Sequence, residues 1–290
     1  MTAKERLDIF FKDVKENLSK RKIKANALHF KRNTIVLGAM VSKNIKTQYR
    51  RSVLGILWTM LAPLLNMIVL TIVFSRLFGR NGINMDYPIY VLSGNIVFTF
   101  MRVATSTALT SLVDSYEMMT KTRIEYSVFP LSKVISSLVN FGFSCIALII
   151  VMLVRMAQHI PNVGFHWTML ITIAPWLPFY LLFVAGMSLI LSIIYVRFRD
   201  IKHIYSVFLT LWTYLTPLFY SLDSLNLSDT VIKIMKLNPM YHYVTYFREL
   251  LQGQMPSLET QLVCYGCGVV MFLIGWVWFH FTKKRIILYI

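Results

Sequence analysis

The sequence is poor in charged residues, and above all in acidic ones. Charged residues make up 15% of the 290 positions and only 13 residues are Asp or Glu, whereas a soluble domain usually carries about 25% charged residues. None of the acidic residues lies deep in a long apolar run, where ion-coupled transporters generally place ionisable groups. The composition therefore argues against a soluble protein and weakens the case for a proton- or sodium-coupled transporter.

Catalytic and nucleotide-binding motifs are also missing. Membrane hydrolases and glycosyl transferases need paired carboxylates, a metal cluster or an activated nucleophile, and the sequence brings no such group to one predicted membrane surface. No Gly-Lys pair occurs, which excludes a phosphate-binding loop of the usual form. We therefore predict that the chain is not an enzyme, holds no metal and no cofactor, and leaves any ATP to a separate subunit.

Cysteines are few, and Cys145, Cys264 and Cys267 all lie in apolar segments. An odd number in such places argues against a disulfide framework. Cys264 and Cys267 are spaced like half of a redox or zinc motif, but no second pair of ligands accompanies them. We interpret them as small residues in helix packing.

Long apolar runs dominate what is present, because 56% of the residues are hydrophobic. A membrane-spanning helix needs about 20 mostly apolar residues. Six runs meet that need, over residues 52–78, 87–113, 134–154, 167–196, 204–222 and 260–282. The first run follows a highly charged leader, which predicts a retained span rather than a cleaved signal peptide. The predicted fold class is an all-α membrane protein with six transmembrane helices.

The net charge of +17 is unevenly distributed along the chain. Of the 30 Lys and Arg residues, 23 fall before the first run, in the loops 114–133 and 197–203, or after the last run, and six fall on the other side. The side richer in cations is cytoplasmic in membrane proteins, so both termini are predicted to be cytoplasmic. No basic soluble domain of useful size exists, so nucleic acid is not a predicted partner.

Two cytoplasmic pieces precede the first span, a leader over residues 1–30 and an amphipathic helix over 31–51. In the second piece, apolar side chains recur every four residues on one face, at Leu37, Val41, Ile45 and Tyr49. Lysines and arginines occupy the other faces, which suits a helix lying among anionic membrane lipids. A solvated leader helix is the alternative.

Residues 222–259 are too polar to span the membrane, yet they are rich in apolar side chains. Pro239 interrupts them, so we predict two short helices joined at Asn238-Pro239. Such half-buried helices are tolerated where they pack on protein or line a cavity. We expect a re-entrant or outer-face, gate-like segment before the last span.

Five segments, in order along the chain, carry a resemblance to a known family. They are Tyr49–Trp58 with Leu61–Pro63, Asp86–Gly94, Phe129–Ser132, Tyr195–Ile201, and Leu237–Met240 with Phe247–Arg248. Together they are similar to the ABC-2 type permeases that export bacterial surface polysaccharides.

The resemblance implies a six-span permease domain over 52–285 in the bacterial cytoplasmic membrane. It also implies a permease homodimer bound to two copies of a separate ABC ATPase. The implied cargo is a lipid-linked glycan of O-antigen, capsule or teichoic acid type, carried on undecaprenyl pyrophosphate or a similar lipid. Two rivals are a permease for a small hydrophobic compound and a membrane-embedded enzyme of glycan assembly.

Two cytoplasmic loops are candidates for contact with an ATPase. In Ser115–Phe129 we predict a short helix with an adaptable apolar knob and one fixed cation. Its candidate residues are Tyr116, Met118, Met119, Thr122 and Arg123; those of the second loop are Arg197, Arg199 and Asp200. The alternative is that both are ordinary cation-rich loops.

Aromatic residues are candidates for the lining of a translocation path. They are Trp58, Phe98, Phe100, Trp212, Tyr214, Phe219 and Tyr220. Sugar rings pack their C–H faces on aromatic rings, and their hydroxyls bond to Tyr and Trp polar atoms that seek a partner. Aromatic belts at the membrane interfaces are the alternative reading.

Arg102 is the only charged residue deep within a predicted span, since Arg76 lies at the end of the first run. It lies about 20 Å from either end of its helix at 1.5 Å per residue, and a cation at such depth costs about 2.5–3.5 kcal/mol on insertion scales. We predict that Arg102 faces the path or the dimer interface and meets a phosphate of the lipid carrier. Alternatively, backbone carbonyls and water satisfy it and it has no role toward the substrate.

Overall fold

The computed structural model describes residues 31–50, 55, 57–77, 85–121, 124–161, 163–222, 228–283 and 286. The predicted leader over residues 1–30 lies outside the described residues. Residues 31–49 are helical and are called α1. The further helices are α2 (Leu57–Leu77), α3 (Tyr87–Asp114), α4 (Tyr116–Lys121), α5 (Val128–Ala157), α6 (Trp167–Arg197), α7 (Ile201–Leu215), α8 (Asp229–Lys236), α9 (Pro239–Leu251) and α10 (Leu258–Thr282). No strand occurs in this part of the chain, which confirms the all-α class.

Four of the described helices, α3, α5, α6 and α10, are long and apolar enough to cross a membrane. They correspond to the second, third, fourth and sixth predicted spans, and α6 begins at the predicted Trp167. In α2 the apolar part is shorter, at Leu57–Val73. The topology with six spans therefore stays a prediction for α2 and α7.

Helix α7 has only 15 residues, which give a length of about 22 Å against a hydrocarbon core of about 30 Å. It ends because Thr216 precedes Pro217, and the residue before a proline avoids the helical conformation. Thr216 is extended, with ψ at 125°. The fifth apolar run is thus a short helix followed by the irregular segment 216–222.

Helix α1 lies within the segment 31–51 predicted as an amphipathic helix, and part of its apolar face packs on the protein itself. Leu37 joins an apolar cluster around the buried Met119. At the other end of α1, the Tyr49 hydroxyl donates to Asn140 Oδ1 on α5 at 2.7 Å, and Lys133 Nζ donates to Asn44 Oδ1 at 2.9 Å. The predicted location of α1 among lipid headgroups stays a prediction.

The core centres on α3 and α6, which are mostly buried, whereas α5 and α10 expose much of their surface. Aromatic rings stack across α6 and α9: Tyr180 lies 4.9 Å from Trp176 and 4.8 Å from Tyr243 between ring centroids. The Tyr180 hydroxyl donates to the Val97 carbonyl of α3 at 2.7 Å. These bonds satisfy polar atoms that would be costly inside an apolar core.

Helices α6 and α10 make the most extensive contact between helices. Their backbones approach so closely that a Cβ on Gly186 would collide with the Met271 carbonyl, and one on Gly275 with the Gly186 carbonyl. Small residues permit such an approach between membrane helices. In contrast, a Cβ on Gly266 of α10 would meet open space.

Helices α8 and α9 confirm the two short helices and their joint. Asn238 caps α9, accepting a hydrogen bond from the Met240 N–H at 3.0 Å, and Pro239 occupies the first helical position, which favours a start there. The Tyr243 hydroxyl of α9 donates to the Cys264 carbonyl at 2.6 Å. Helix α9 therefore packs into the protein; its expected place at the outer face stays a prediction.

Candidate functional site

A cavity of about 740 Å³ lies between α2, α3 and α7 and the segment after α7. It is lined by Leu70, Arg102, Val103, Ser106, Thr107, Leu109, Lys202, Tyr205, Ser206, Leu209, Thr210, Thr213, Tyr214 and Phe219. The lining combines hydroxyl groups, aromatic rings and two cations, and contains no acidic residue. We call it the α3–α7 cavity.

Arg102 extends into this cavity from the middle of α3, where its side chain is exposed. Ser106 and Thr107 lie about one turn further along α3 and line the same wall. A cation at this depth is compatible with a membrane only where it faces a cavity or partner groups. The structure thus brings Arg102 to a cavity; its contact with a phosphate stays a prediction.

Tyr214 and Phe219 line the same cavity from α7 and the segment that follows it. Tyr214 is 66% exposed. The Tyr220 hydroxyl donates to the Tyr214 carbonyl at 2.6 Å, so this third aromatic side chain lies next to the lining without belonging to it. The structure therefore brings three predicted aromatic residues to one place.

The other aromatic candidates lie elsewhere. Trp212 is buried, and the ring of Phe98 meets it edge-on at 6.3 Å between ring centroids. It does not join Tyr214 at the cavity, because residues two apart on a helix do not share a face. Phe100 is buried against Phe141 at 5.3 Å. Trp58, about half exposed on α2, is absent from the cavity lining. The sequence alone did not show whether each aromatic ring would face the cavity, the protein core or the outer surface.

The irregular segment 216–222 is held by a buried arginine, Arg248, which carries part of the family resemblance but is not among the predicted site residues. Arg248 donates to the carbonyl oxygens of Pro217 at 2.9 Å, Leu218 at 3.0 Å and Tyr90 at 3.1 Å. Its guanidinium lies 3.5 Å from the centroid of the Tyr90 ring. Burial lowers the pKa of Arg248 from its ordinary value, yet a guanidinium stays protonated in proteins.

Two tyrosines of α3 complete this arrangement. The Tyr87 hydroxyl donates to the Phe219 carbonyl at 2.8 Å, and the Tyr90 hydroxyl donates to the Tyr220 carbonyl at 2.8 Å. Four successive carbonyl oxygens, of residues 217–220, are thus satisfied by side chains rather than by helical bonds. Non-helical backbone at membrane depth requires such internal partners. We call Tyr87, Tyr90 and Arg248 the carbonyl-binding cluster.

The sequence held a signal for Arg248. Val244 and Leu251 lie four residues before it and three after it, on the same face of α9, and both are buried. A lone arginine on an apolar helix face indicates a cation with internal partners. The structure also explains the glycine at position 94, because a Cβ there would lie 2.6 Å from Arg248 Nη2.

The first candidate contact segment for an ATPase contains α4, whose Tyr116 is exposed. Met119 is buried in an apolar cluster with Leu112 and Phe129, and Met118 packs against that cluster. The expected exposed knob is therefore wrong for Met119, because its apolar surface is used within the chain. Thr122 and Arg123 lie outside the described residues.

The second candidate segment joins α6 to α7, and Arg197, Arg199 and Asp200 are all exposed there. The Arg199 guanidinium lies 5.2 Å from the centroid of the Tyr195 ring. Val196, next to this segment, belongs to the same apolar cluster as Met119. Both candidate segments thus lie at one end of the molecule.

Metal ligands do not gather in the part of the chain that the structure describes, where no three His, Cys, Asp or Glu side chains could hold an ion. Cys264 is buried, and Cys145 and Cys267 are partly buried, all three as free thiols.

Comparison with known proteins shows one matching family and several relatives. A family model described as ABC-2 type transporter matches residues 36–251. The O-antigen export system permease protein RfbA of Myxococcus xanthus is 29% identical over 241 residues, which are 81% of this chain and 88% of the relative. A protein of the same name from Klebsiella pneumoniae is 26% identical over 251 residues, which are 86% of this chain and 93% of the relative.

Proposed function

Because the chain belongs to the ABC-2 type transporter family, we infer that it is the permease subunit of an ATP-driven exporter and that its cargo is a surface polysaccharide. The relatives named as O-antigen export permeases align with most of the chain, which supports this cargo class. We propose further that the polysaccharide is lipid-linked and that the protein lies in the bacterial cytoplasmic membrane with both termini inside.

The observation that carries the proposal is the lining of the α3–α7 cavity. Tyr214 and Phe219 offer ring faces on which sugars pack. Ser106, Thr107 and neighbouring hydroxyls offer weak hydrogen bonds, which suit a polymer that must slide rather than bind tightly. Arg102 offers a planar fork that can donate two parallel hydrogen bonds to a phosphate of the lipid carrier.

A second copy of the chain is proposed to close the path. Apolar side chains recur along one side of α7 and are more than half exposed: Ile204, Val207, Leu211, Tyr214 and Leu215. Spacing of three and four residues places them on one helix face. That face borders the α3–α7 cavity through Tyr214, so a homodimer joined along α7 would enclose the cavity between two copies.

ATP hydrolysis is assigned to a partner ATPase. The exposed side of α4 and the segment 197–202 lie at the same end of the molecule and supply the proposed contact surface. Tyr116 gives this surface an apolar centre. Export of a small hydrophobic compound and enzymatic glycan assembly are the competing activities.

Cells that lack the native chain and carry Arg102→Met or Arg102→Lys test the proposal. We expect Arg102→Met to abolish surface polysaccharide while the lipid-linked polymer accumulates inside, and Arg102→Lys to restore part of the export because it keeps the charge. The measurements are surface polymer, internal lipid-linked polymer, permease level and co-purified ATPase.

If the Arg102→Met permease is inserted, assembles with the ATPase and exports normally, the proposed role of Arg102 toward the substrate is wrong. Full surface polymer in cells without the chain would remove the polysaccharide as cargo and favour the small-compound permease. Turnover of a glycan precursor by the purified chain alone would favour the enzyme.

A further inference from the structure

A second large cavity, separate from the α3–α7 cavity, lies between the ends of α6 and α10. Its volume is about 770 Å³. It is lined by Ile193, Ile194, Val196, Arg197, Phe198, Trp278, Phe281, Thr282 and Ile286. We call it the α6–α10 groove. It shares no lining residue with the α3–α7 cavity.

The wall of the α6–α10 groove is apolar and aromatic, with a single cation. Trp278 is 44% exposed and Phe281 is 77% exposed. Arg197 is the only charged residue in the lining, and its guanidinium lies 5.8 Å from the centroid of the Phe198 ring. Tryptophan rings favour the level of the lipid headgroups, so Trp278 beside Arg197 gives this wall the character of a boundary between hydrocarbon and water.

The groove lies at the end of the molecule where cations gather. Arg199 and Lys202 follow Arg197 in the same segment, which also contains one acidic residue, Asp200, and Lys283 follows α10, where it pairs with Glu125 at 2.8 Å; these side chains lie near the groove but outside its lining. Basic pockets between membrane helices on the cytoplasmic side attract anionic lipid headgroups. The charge of the groove is therefore complementary to a lipid phosphate.

A comparable apolar groove in the same chain lacks this charge. A cavity of about 430 Å³ between α5, α6 and α9 is lined by apolar side chains and His166, with no Lys, Arg, Asp or Glu. Apolar contact alone would suit any acyl chain in either groove. Because only the α6–α10 groove contains a cation, Arg197, only this groove can also select a lipid by the charge of its headgroup.

We propose that the α6–α10 groove binds one anionic phospholipid of the surrounding bilayer. An acyl chain lies along Ile193, Trp278 and Phe281, and the headgroup phosphate accepts hydrogen bonds from the Arg197 guanidinium. The polyprenyl carrier of the cargo has similar chemistry, but the path proposed for it is the α3–α7 cavity, with which this groove shares no lining residue; this assignment of the occupant rests on the proposed function. The proposed lipid is therefore a bilayer component rather than the substrate.

The test uses the full-length permease without the ATPase, because Arg197 and Arg199 also lie in the proposed ATPase contact surface. It is incorporated into nanodiscs of phosphatidylcholine with or without phosphatidylglycerol, and native mass spectrometry after release counts the lipids that each permease retains. We expect one retained phosphatidylglycerol per permease and no retained phosphatidylcholine. We expect Arg197→Gln to weaken retention by about fivefold, the factor for one cation near an anionic surface, and Trp278→Ala to weaken it as well.

Arg199→Gln is the matched control, because it removes the same charge two residues away, where the side chain lies near the Tyr195 ring rather than in the groove. We expect it to retain the lipid as the unmodified permease does. Equal losses in Arg197→Gln and Arg199→Gln would show general attraction to a basic loop and overturn the site. Equal retention of both phospholipids, or retention of a polyprenyl phosphate that Trp278→Ala abolishes, would overturn the proposed occupant.

Discussion

Among single residues, Arg248 satisfies backbone carbonyls that hydrogen bonds within a helix would satisfy if α7 continued. Three of the five N–H groups of a guanidinium are used here on carbonyl oxygens of Pro217, Leu218 and Tyr90. No other side chain presents donors in a planar fork of this reach. The irregular segment that follows α7 therefore depends on one residue of α9, about 30 positions further along the chain.

Replacement of Arg248 by methionine should destabilise the permease. It leaves the buried Leu218 carbonyl without a donor and the Pro217 carbonyl with only the long bond from the Tyr90 hydroxyl at 3.4 Å, and each unsatisfied group costs about 1–3 kcal/mol. We expect a lower melting temperature in detergent, with partial recovery in Arg248→Lys, whose point charge satisfies fewer carbonyls. Lys236→Met is the control, since Lys236 is exposed on α8. Equal melting of Arg248→Met and the unmodified chain would contradict this role.

At the scale of helices, the contact between α6 and α10 depends on glycine. A methyl group at Gly275 would collide with backbone of α6 rather than with a flexible side chain. The backbone of α6 can move away from such a methyl group only if the two helices separate. The substitution would therefore weaken packing along the whole α6–α10 interface.

We expect Gly275→Ala to lower the stability of the permease by about 1–3 kcal/mol, the usual range for overpacking. The measurement is thermal unfolding of the purified protein in detergent. Gly266→Ala is the matched control on the same helix, where the methyl group meets open space and alanine favours the helix. A Gly275→Ala protein as stable as Gly266→Ala would show that the helices do not pack this closely.

Helix α4 has one exposed residue proposed to contact the ATPase, Tyr116, and one buried residue that packs within the permease, Met119. Tyr116→Asp should reduce the amount of co-purified ATPase and leave the melting temperature unchanged, because Tyr116 is exposed. Met119→Asp should lower the melting temperature, because it buries an unpaired carboxylate in the apolar cluster. Tyr116→Phe keeps the apolar surface and should retain the ATPase. Normal ATPase recovery and export in Tyr116→Asp would remove α4 from the contact.

The sequence predicted those elements whose limits are set locally. The start of α6 at Trp167 follows a loop rich in His, Pro, Asn and Gly, and the joint at Asn238 is set by a capping side chain and a proline. The conformation of the irregular segment 216–222 and the partners of Arg248 were not predicted, because both depend on contacts between distant segments. Trp212 shows the same limit, since its burial is decided by Phe98 of α3.

At the scale of the whole molecule, the distribution of cations predicts the orientation in the membrane. We expect a cysteine at Ser257 to react with an impermeant thiol reagent from outside the cell, and one at Thr120 to react only after the membrane is opened. Both side chains are exposed, and a background with Cys145, Cys264 and Cys267 replaced by alanine removes other thiols. Labelling in the reverse pattern would overturn the orientation and, with it, the direction of export.

The break after α7 has a mechanical consequence. Helix α7 is a rod of about 22 Å that begins directly after the exposed segment 197–200 and ends at a fixed pivot, the carbonyl-binding cluster. If the ATPase acts on the first end as proposed, we expect the push to tilt α7 about this point rather than to travel straight across the membrane. Because α7 forms one wall of the α3–α7 cavity, the tilt would change the width of that cavity most at the end nearest the segment 197–200.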